Sequence, residues 1–264
     1  MSGFDLQAVN DALQGTIFHG KVQHFTTIGS TNVQALADAQ AGAQSGQVYI
    51  ADEQTAGRGR GGHTWHSEPD RGLYLTMLVR PALQSSDVLK LSMITALAAV
   101  EAIAEVTASR ITDIRWPNDL VIGANPARKA GGILTEAVST PSGELRHAAI
   151  GIGINLNQLE FPKELAAVAT SLRRELGASV SREELAIALL SQMDKEFRQL
   201  DQNGSEVFDR MERKSTWVRG KRVHVAEEEG YTGKTAGLTT EGLLRIHCDD
   251  GTERVVRHGG VREL

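Results

Sequence analysis

The sequence predicts an α+β protein, a domain of mixed helices and strands followed by a small β-barrel. Three observations lead there. Two strand-like apolar stretches, Val48–Ala51 and Leu73–Val79, flank the most glycine-rich loop of the chain. Apolar residues recur at helical spacing around 87–106, and a capping box opens a further helix at Ser181. Beyond Trp217 the pattern changes to short strands divided by Glu-Gly and Asp-Gly turns, as in a small barrel. The expected division is therefore 1–216 and 217–264.

Composition sets the outer limits. The 264 residues accommodate one large domain and a small one. Hydrophobic content of 41% and charged content of 23% are those of a soluble globular protein. A net charge of −5 argues against a nucleic-acid binder held mainly through phosphates. The single Cys248 excludes an internal disulfide and a cysteine-based zinc site, and reads as a small strand residue. No basic-then-apolar leader and no apolar run of ~20 residues is visible, so a cytoplasmic protein without a membrane partner is expected.

Taken in order, a short helix is expected over Phe4 to Leu13, then a strand through Val22 and Phe25. Ser30, Thr31 and Asn32 open the next helix. Ser30 or Thr31 suits an N-cap, and a helix start also offers hydroxyls and free N–H groups to a small polar ligand. The loop Gln54 to Trp65 holds Gly57, Arg58, Gly59, Arg60, Gly61 and Gly62 in succession. Glycine lets the backbone approach a ligand, and arginine brings a rigid fork of donors for phosphate or carboxylate. The loop reads as an anion cradle or as a solvated basic loop. Its place between two strands, bracketed by Gln54 and Trp65, favours the cradle. It is neither a Walker loop nor a Rossmann fingerprint: His63-Thr64 stands where Lys-Ser/Thr would be, and the glycine spacing differs.

A long core helix is expected from Asp87 to Val106. Trp116-Pro117-Asn118-Asp119 then sits where one strand turns into another, either a common Asn-Asp turn or a place gathering Arg115, Asn118 and Asp119. Lys129 precedes Gly131 and Gly132, either as surface charge or in reach of a phosphate. Gly151 and Gly153 interrupt a strand ending at Asn155, and glycine inside a strand often marks close approach by ligand or backbone. Helices are expected over 162–176, from the capping box Ser181-Arg-Glu-Glu184 to Leu200, and from Ser205 to Lys214.

Taken together, Ser30-Thr-Asn32, Gln54 with Gly57-Arg-Gly-Arg60 and Trp65, Trp116-Pro-Asn-Asp119, Lys129 with Gly131-Gly132, and Gly151-Ile-Gly-Ile-Asn155 resemble the motif series of biotin protein ligases. The resemblance covers nearly the whole chain. It implies a catalytic domain like class II aminoacyl-tRNA synthetases, built on a mixed sheet, with an SH3-like barrel after it. The stretch before Ser30 leaves no room for the winged helix of the bifunctional members, so the ligase-only form without DNA binding is expected. The implied reaction joins the biotin carboxylate to the α-phosphate of ATP, with Mg²⁺, and passes biotin to a lysine of the biotin carboxyl carrier domain of acetyl-CoA carboxylase. Family members include monomers and dimers, so a homodimer stays open.

By this resemblance Ser30, Thr31, Asn32, Gln54, Arg58, Gly59, Arg60, Lys129, Gly132 and Gly151 line the biotin site. Arg58, Arg60, Gly61, Trp65, Asn118, Lys129, Gly153 and Asn155 line the ATP or adenylate site. Arg60, Lys129 and Asp119 carry the catalysis: Lys129 reaches the reacting carboxylate or α-phosphate, and Asp119 orients or deprotonates the incoming lysine. Trp65 faces the adenine, the glycines leave room for the ligand, and Asn155 helps hold Mg²⁺ and phosphate. Two residues depart from the pattern: His63 stands where arginine is frequent, and Arg115 where lysine is usual. The rival readings are a lipoate–protein ligase, a biotin sensor without catalysis, and a nucleic-acid binder. The Gly-Arg-Gly-Arg loop with Trp-Pro-Asn-Asp, the pair Lys129 and Asp119, and the acidic net charge count against them in turn.

Overall fold

Burial on both faces fixes the centre of the main sheet. Every position of β3 (Gly72–Val79) is buried, and nearly every one of β7 (Leu145–Asn155), as for strands covered from both sides. The structure is a computed structural model describing residues 3–124, 126–203, 206–227, 229–257 and 260–264, with 201–203 by backbone alone. Around the central pair lie β1 (Val22–Ile28), β2 (Gln47–Gln54), β6 (Arg128–Ser139), β5 (Asp119–Ile122) and β4 (Thr112–Arg115), in the order β1-β2-β3-β7-β6-β5-β4. Only β1 and β2 pair in parallel within it, and the other neighbours are antiparallel, so the sheet is mixed.

The two-residue period of strands sorts the core. Tyr49, Leu78 and Ala149 face Ala35 and Ala39 of α2 (Thr31–Gln40), the crossover from β1 to β2. Val48, Ile50, Met77 and Ile150 join the larger core containing α3 (Val88–Thr107) and α5 (Arg182–Asn203), which pack on each other. α1 (Leu6–Ala12) starts at Asp5, whose Oδ1 accepts the Ala8 N–H at 2.9 Å. α6 (Glu206–Lys214) packs against α3; Ser205, the expected start of this helix, lies outside the described residues.

One expected helix does not form. Over 162–176 only Leu172–Leu176 is α-helical (α4), and the residues before it are turns. The chain there follows the main chain of Lys129 instead: Lys129 N–H donates to Val168 O at 2.8 Å and Thr170 N–H to Lys129 O at 2.9 Å. Pairing the start of β6 satisfies groups that a helix would leave open.

Five antiparallel strands, β8 (Arg219–Val225), β9 (Tyr231–Leu238), β10 (Leu244–Cys248), β11 (Glu253–Val256) and β12 (Val261–Glu263), form a second sheet ordered β11-β10-β9-β8-β12. The sequence reading lacked β12, which is three residues long and pairs with β8. Among the described residues no helix is long and apolar enough to cross a membrane.

Candidate active site

The Gly/Arg loop folds back on itself immediately after β2. Trp65 N–H donates to Gly57 O at 2.9 Å and Gly59 N–H to His63 O at 2.6 Å, and Arg58 bridges Thr64. At the tip, Arg60–Gly62 makes a single 3₁₀ turn with Gly61 at φ +67°, a conformation that favours glycine. At Gly57 a Cβ would stand 2.6 Å from Trp65 O. The glycines thus build the turn on which Arg58 and Arg60 are carried.

Below the loop, β6 and β7 bring glycines opposite each other: Gly132 pairs with Gly153, and Leu134 with Gly151. Trp65 rests on this floor. A Cβ at Gly153 would lie 2.5 Å from Trp65 Cε2, and one at Gly132 would lie 3.0 Å from Lys129 Nζ and 3.3 Å from Trp65 Cζ3. Gly151 gives the same clearance to the Asn32 amide. The indole Nε1 of Trp65 is buried without a hydrogen-bond partner, while Lys129 Nζ stands 5.5 Å from the ring centroid. Gly153→Ala therefore has to displace Trp65, an overpacking cost of ~1–3 kcal/mol, and on the expectation that Trp65 faces the adenine it weakens ATP binding. Calorimetric titration of ATP checks this; unchanged affinity would detach Trp65 from the nucleotide.

The third part is a charge cluster at the β4–β5 hairpin. Arg115 and Asp119 face each other across it, and the Trp116–Pro117 peptide between them is cis. Arg115 places Nη2 2.7 Å and Nε 3.2 Å from Asp119 Oδ2, and Lys129 Nζ lies 2.6 Å from Oδ1. Burial alone would raise the Asp119 pKa, but the Lys129 and Arg115 charges and hydrogen bonds outweigh it and hold the carboxyl below its ordinary value. Arg60 is an exposed residue, and partial burial lowers its pKa against the opposing pull of Asp119 and Glu227. The hairpin also leans on the second sheet: Trp116 Nε1 donates to Gly242 O at 3.0 Å, and Arg115 stacks 5.5 Å above Trp217.

A polar string completes the site from the α2 side. Ser30 occupies the N-cap position without a side-chain cap bond. Thr76 Oγ1 lies 2.6 Å from Asn32 Oδ1 and 2.8 Å from Thr31 Oγ1. Asn32 Oδ1 and Gln54 Oε1 can only accept, so the Thr76 hydroxyl donates to Asn32 and the Thr31 hydroxyl to Gln54 Oε1 at 3.1 Å. Gln54 Oε1 takes the Thr31 main-chain N–H at 2.9 Å, and Gln54 Nε2 donates to Ser67. At the other end Asn32 Nδ2 donates to Glu136 Oε2 at 2.9 Å, and Glu136 Oε1 pairs with Arg58 Nη1 at 3.1 Å.

Residues 22–155, from the start of β1 to the end of β7, match the biotin/lipoate A/B protein ligase family. The chain belongs to this family. It is 32% identical over 231 residues to the bifunctional ligase/repressor BirA of Bacillus subtilis, across 86% of this chain and 70% of that one. It is 32% identical over 238 residues to the biotin–[acetyl-CoA-carboxylase] ligase of Mycobacterium tuberculosis, across 88% and 84%. The fold superposes on the biotin protein ligase from Aquifex aeolicus in complex with biotin and ATP, with a TM-score of 0.76 at 27% identity, covering 93% of this chain and 100% of that one.

Within this ligase fold the expected residues fall into two adjoining groups. Trp65, Asp119, Lys129, Gly132 and Gly153 meet at the charge cluster. Thr31, Asn32, Gln54, Arg58 and Gly151 meet along the polar string. Asn118 is turned to main chain, donating to Ile133 O at 2.8 Å. Asn155 is buried and donates to Thr170 O at 3.0 Å, so its amide secures the segment that pairs with Lys129. Three residues at these groups were not among the site residues expected from the sequence: Thr76, Glu136 and Trp217. Nothing local marks them, because each acquires its partner through the fold.

Proposed function

We propose that the surface formed by the Gly/Arg loop, Trp65 on the glycine floor and the polar string is where this biotin protein ligase activates biotin and passes it on. A biotin carboxylate oxygen forms a bond to the α-phosphorus of ATP, and pyrophosphate leaves. A carrier lysine amine then bonds to the acyl carbon of biotinyl-5′-AMP, AMP leaves, and the amine loses its proton. Both reactants of the first step are anions, so cations fixed beforehand at the meeting point lower its barrier most. The cluster of Lys129, Arg115 and Asp119 beneath Trp65, with Arg60 beside it, is the observation that supports this reading best.

In this scheme Lys129 moves from Asp119 toward the reacting oxygens, and Arg58 and Arg60 neutralise the biotin carboxylate and phosphates. Thr31, Asn32 and Gln54 receive the polar end of biotin, and Ser30, whose hydroxyl makes no cap bond, adds a donor there. Asp119 accepts a hydrogen bond from the incoming lysine. Among the described residues no group of three or more His, Cys, Asp or Glu could hold a metal ion. The described residues therefore do not form a Mg²⁺ cage, and the ion would enter on the phosphates of ATP. Residues 1–216 serve as the catalytic domain and 217–264 as a separate small domain, with a biotin carboxyl carrier domain as the macromolecular substrate.

The test is pyrophosphate release from Mg-ATP without carrier. Release of about one equivalent per site that requires biotin is the expected result, since the adenylate stays bound until an amine arrives. Release driven by lipoate instead would keep the ligase chemistry and change the substrate. Biotin binding with no release would leave a sensor.

A further inference from the structure

Resting on that reading, we infer that Glu136 is a positioning residue that occupies Arg58 in place of a substrate anion and is exchanged for that anion when substrate binds. Glu136 lies on β6, facing the polar string rather than the charge cluster. One carboxylate oxygen accepts from Asn32 at 2.9 Å and the other pairs with Arg58 at 3.1 Å, so a single anion ties α2 to the Gly/Arg loop. The main chain at Arg58 is fixed, because it bridges Thr64 and its neighbour Gly59 bonds His63. Arg58 can therefore change partner only by swinging its side chain, half of which is exposed. Glu136 offers Arg58 a single oxygen, whereas an incoming carboxylate or phosphate, also anionic, can bring two to the guanidinium fork. Asn32 keeps a second acceptor, Leu134 O at 3.2 Å, and holds Glu136 in place while Arg58 leaves.

This makes Glu136 a competitor whose removal improves binding of anionic ligands. Asn32 Nδ2 and Arg58 Nη1 are both donors, and a glutamine offers them one oxygen and one further donor, so Glu136→Gln releases Arg58. The pair is partly exposed, which limits the expected gain to about threefold in Kd. Glu136→Asp keeps the charge and draws it back from Arg58, and gives a smaller gain in the same direction should Glu136→Gln fail to fold. A merely structural role would affect charged and uncharged ligands alike.

Calorimetry therefore compares biotin with its alcohol analogue biotinol, and ATP with adenosine, on the wild type and both variants. A gain for biotin without one for biotinol assigns the exchange to the carboxylate. A gain for ATP without one for adenosine assigns it to the phosphates. In an Arg58→Gln background neither gain remains. Equal gains for the uncharged analogues, or no gain for either anion in either variant, overturn the inference. Absence of biotin-dependent pyrophosphate release in the wild type would instead remove the reading beneath it.

Discussion

Lys129→Ala abolishes adenylation, lowering biotin-dependent pyrophosphate release by about two to three orders of magnitude, the range seen when one fixed electrostatic donor is removed. The expectation follows from where the ammonium lies. Lys129 is held 2.6 Å from Asp119 and above the floor at Gly132. Its main chain is paired on one side with Val121 of β5 and on the other with residues 168–170. With the main chain fixed at both edges, only the side chain has to move for the ammonium to reach the two anions of the proposed first step. Arg115 remains on Asp119 in the variant, so the carboxylate is not left unpaired and the fold is retained. Lys129→Arg is no substitute, because a planar fork does not reproduce a point charge at close contact. Rapid-quench measurement of the first turnover checks this. Near-normal release would reduce Lys129 to a counter-ion of Asp119.

How far the sequence led depends on the range of the interaction concerned. The Gly/Arg loop stood out by composition between two strands, but Lys129, Asp119, Arg60 and Trp65 received their roles only through the resemblance to biotin protein ligases. The glycines were legible as places of close approach, but not what approaches them. In the structure it is Trp65 and the Asn32 amide that occupy the clearance at Gly153 and Gly151. Glu136 had no sequence signal, since its bond to Asn32 joins positions 104 apart. The helix expected over 162–176 failed for a related reason: local propensity favoured it, and pairing with the main chain of Lys129 prevailed. Trp217 marked the onset of a new pattern, yet its place beneath Arg115 appears only when the second sheet packs against the β4–β5 hairpin.

Asp119→Asn separates the two half-reactions. Adenylation persists within about tenfold, while transfer to the carrier lysine falls by two or more orders of magnitude, the scale of a lost proton acceptor or orienting group. The cations needed for the first step, Lys129 and Arg60, stay in place. What disappears is the anion that meets the incoming amine. Because Lys129 and Arg115 hold the carboxyl below its ordinary value, Asp119 is a weak base and remains ionised at neutral pH. In the proposed function its part is then to accept a hydrogen bond and fix the amine, and the expected wild-type transfer rate shows no acid limb from Asp119 near neutrality. The same shift fixes the sign of the stability effect. A carboxylate whose pKa is lowered by folding stabilises the fold above its unfolded pKa, and that stabilisation fades as pH falls through the folded value. The variant should be less stable than wild type at pH 7 by about 2 kcal/mol, somewhat under the cost of breaking a fully buried pair because the three side chains keep some solvent contact. The gap should close in acid, below the normal carboxylate range. Denaturant melts at several pH values measure the gap, and quenched transfer from preformed adenylate measures the step. A constant gap across pH would mean that the carboxylate charge is not what stabilises the hairpin, and undiminished transfer would remove Asp119 from the second half-reaction.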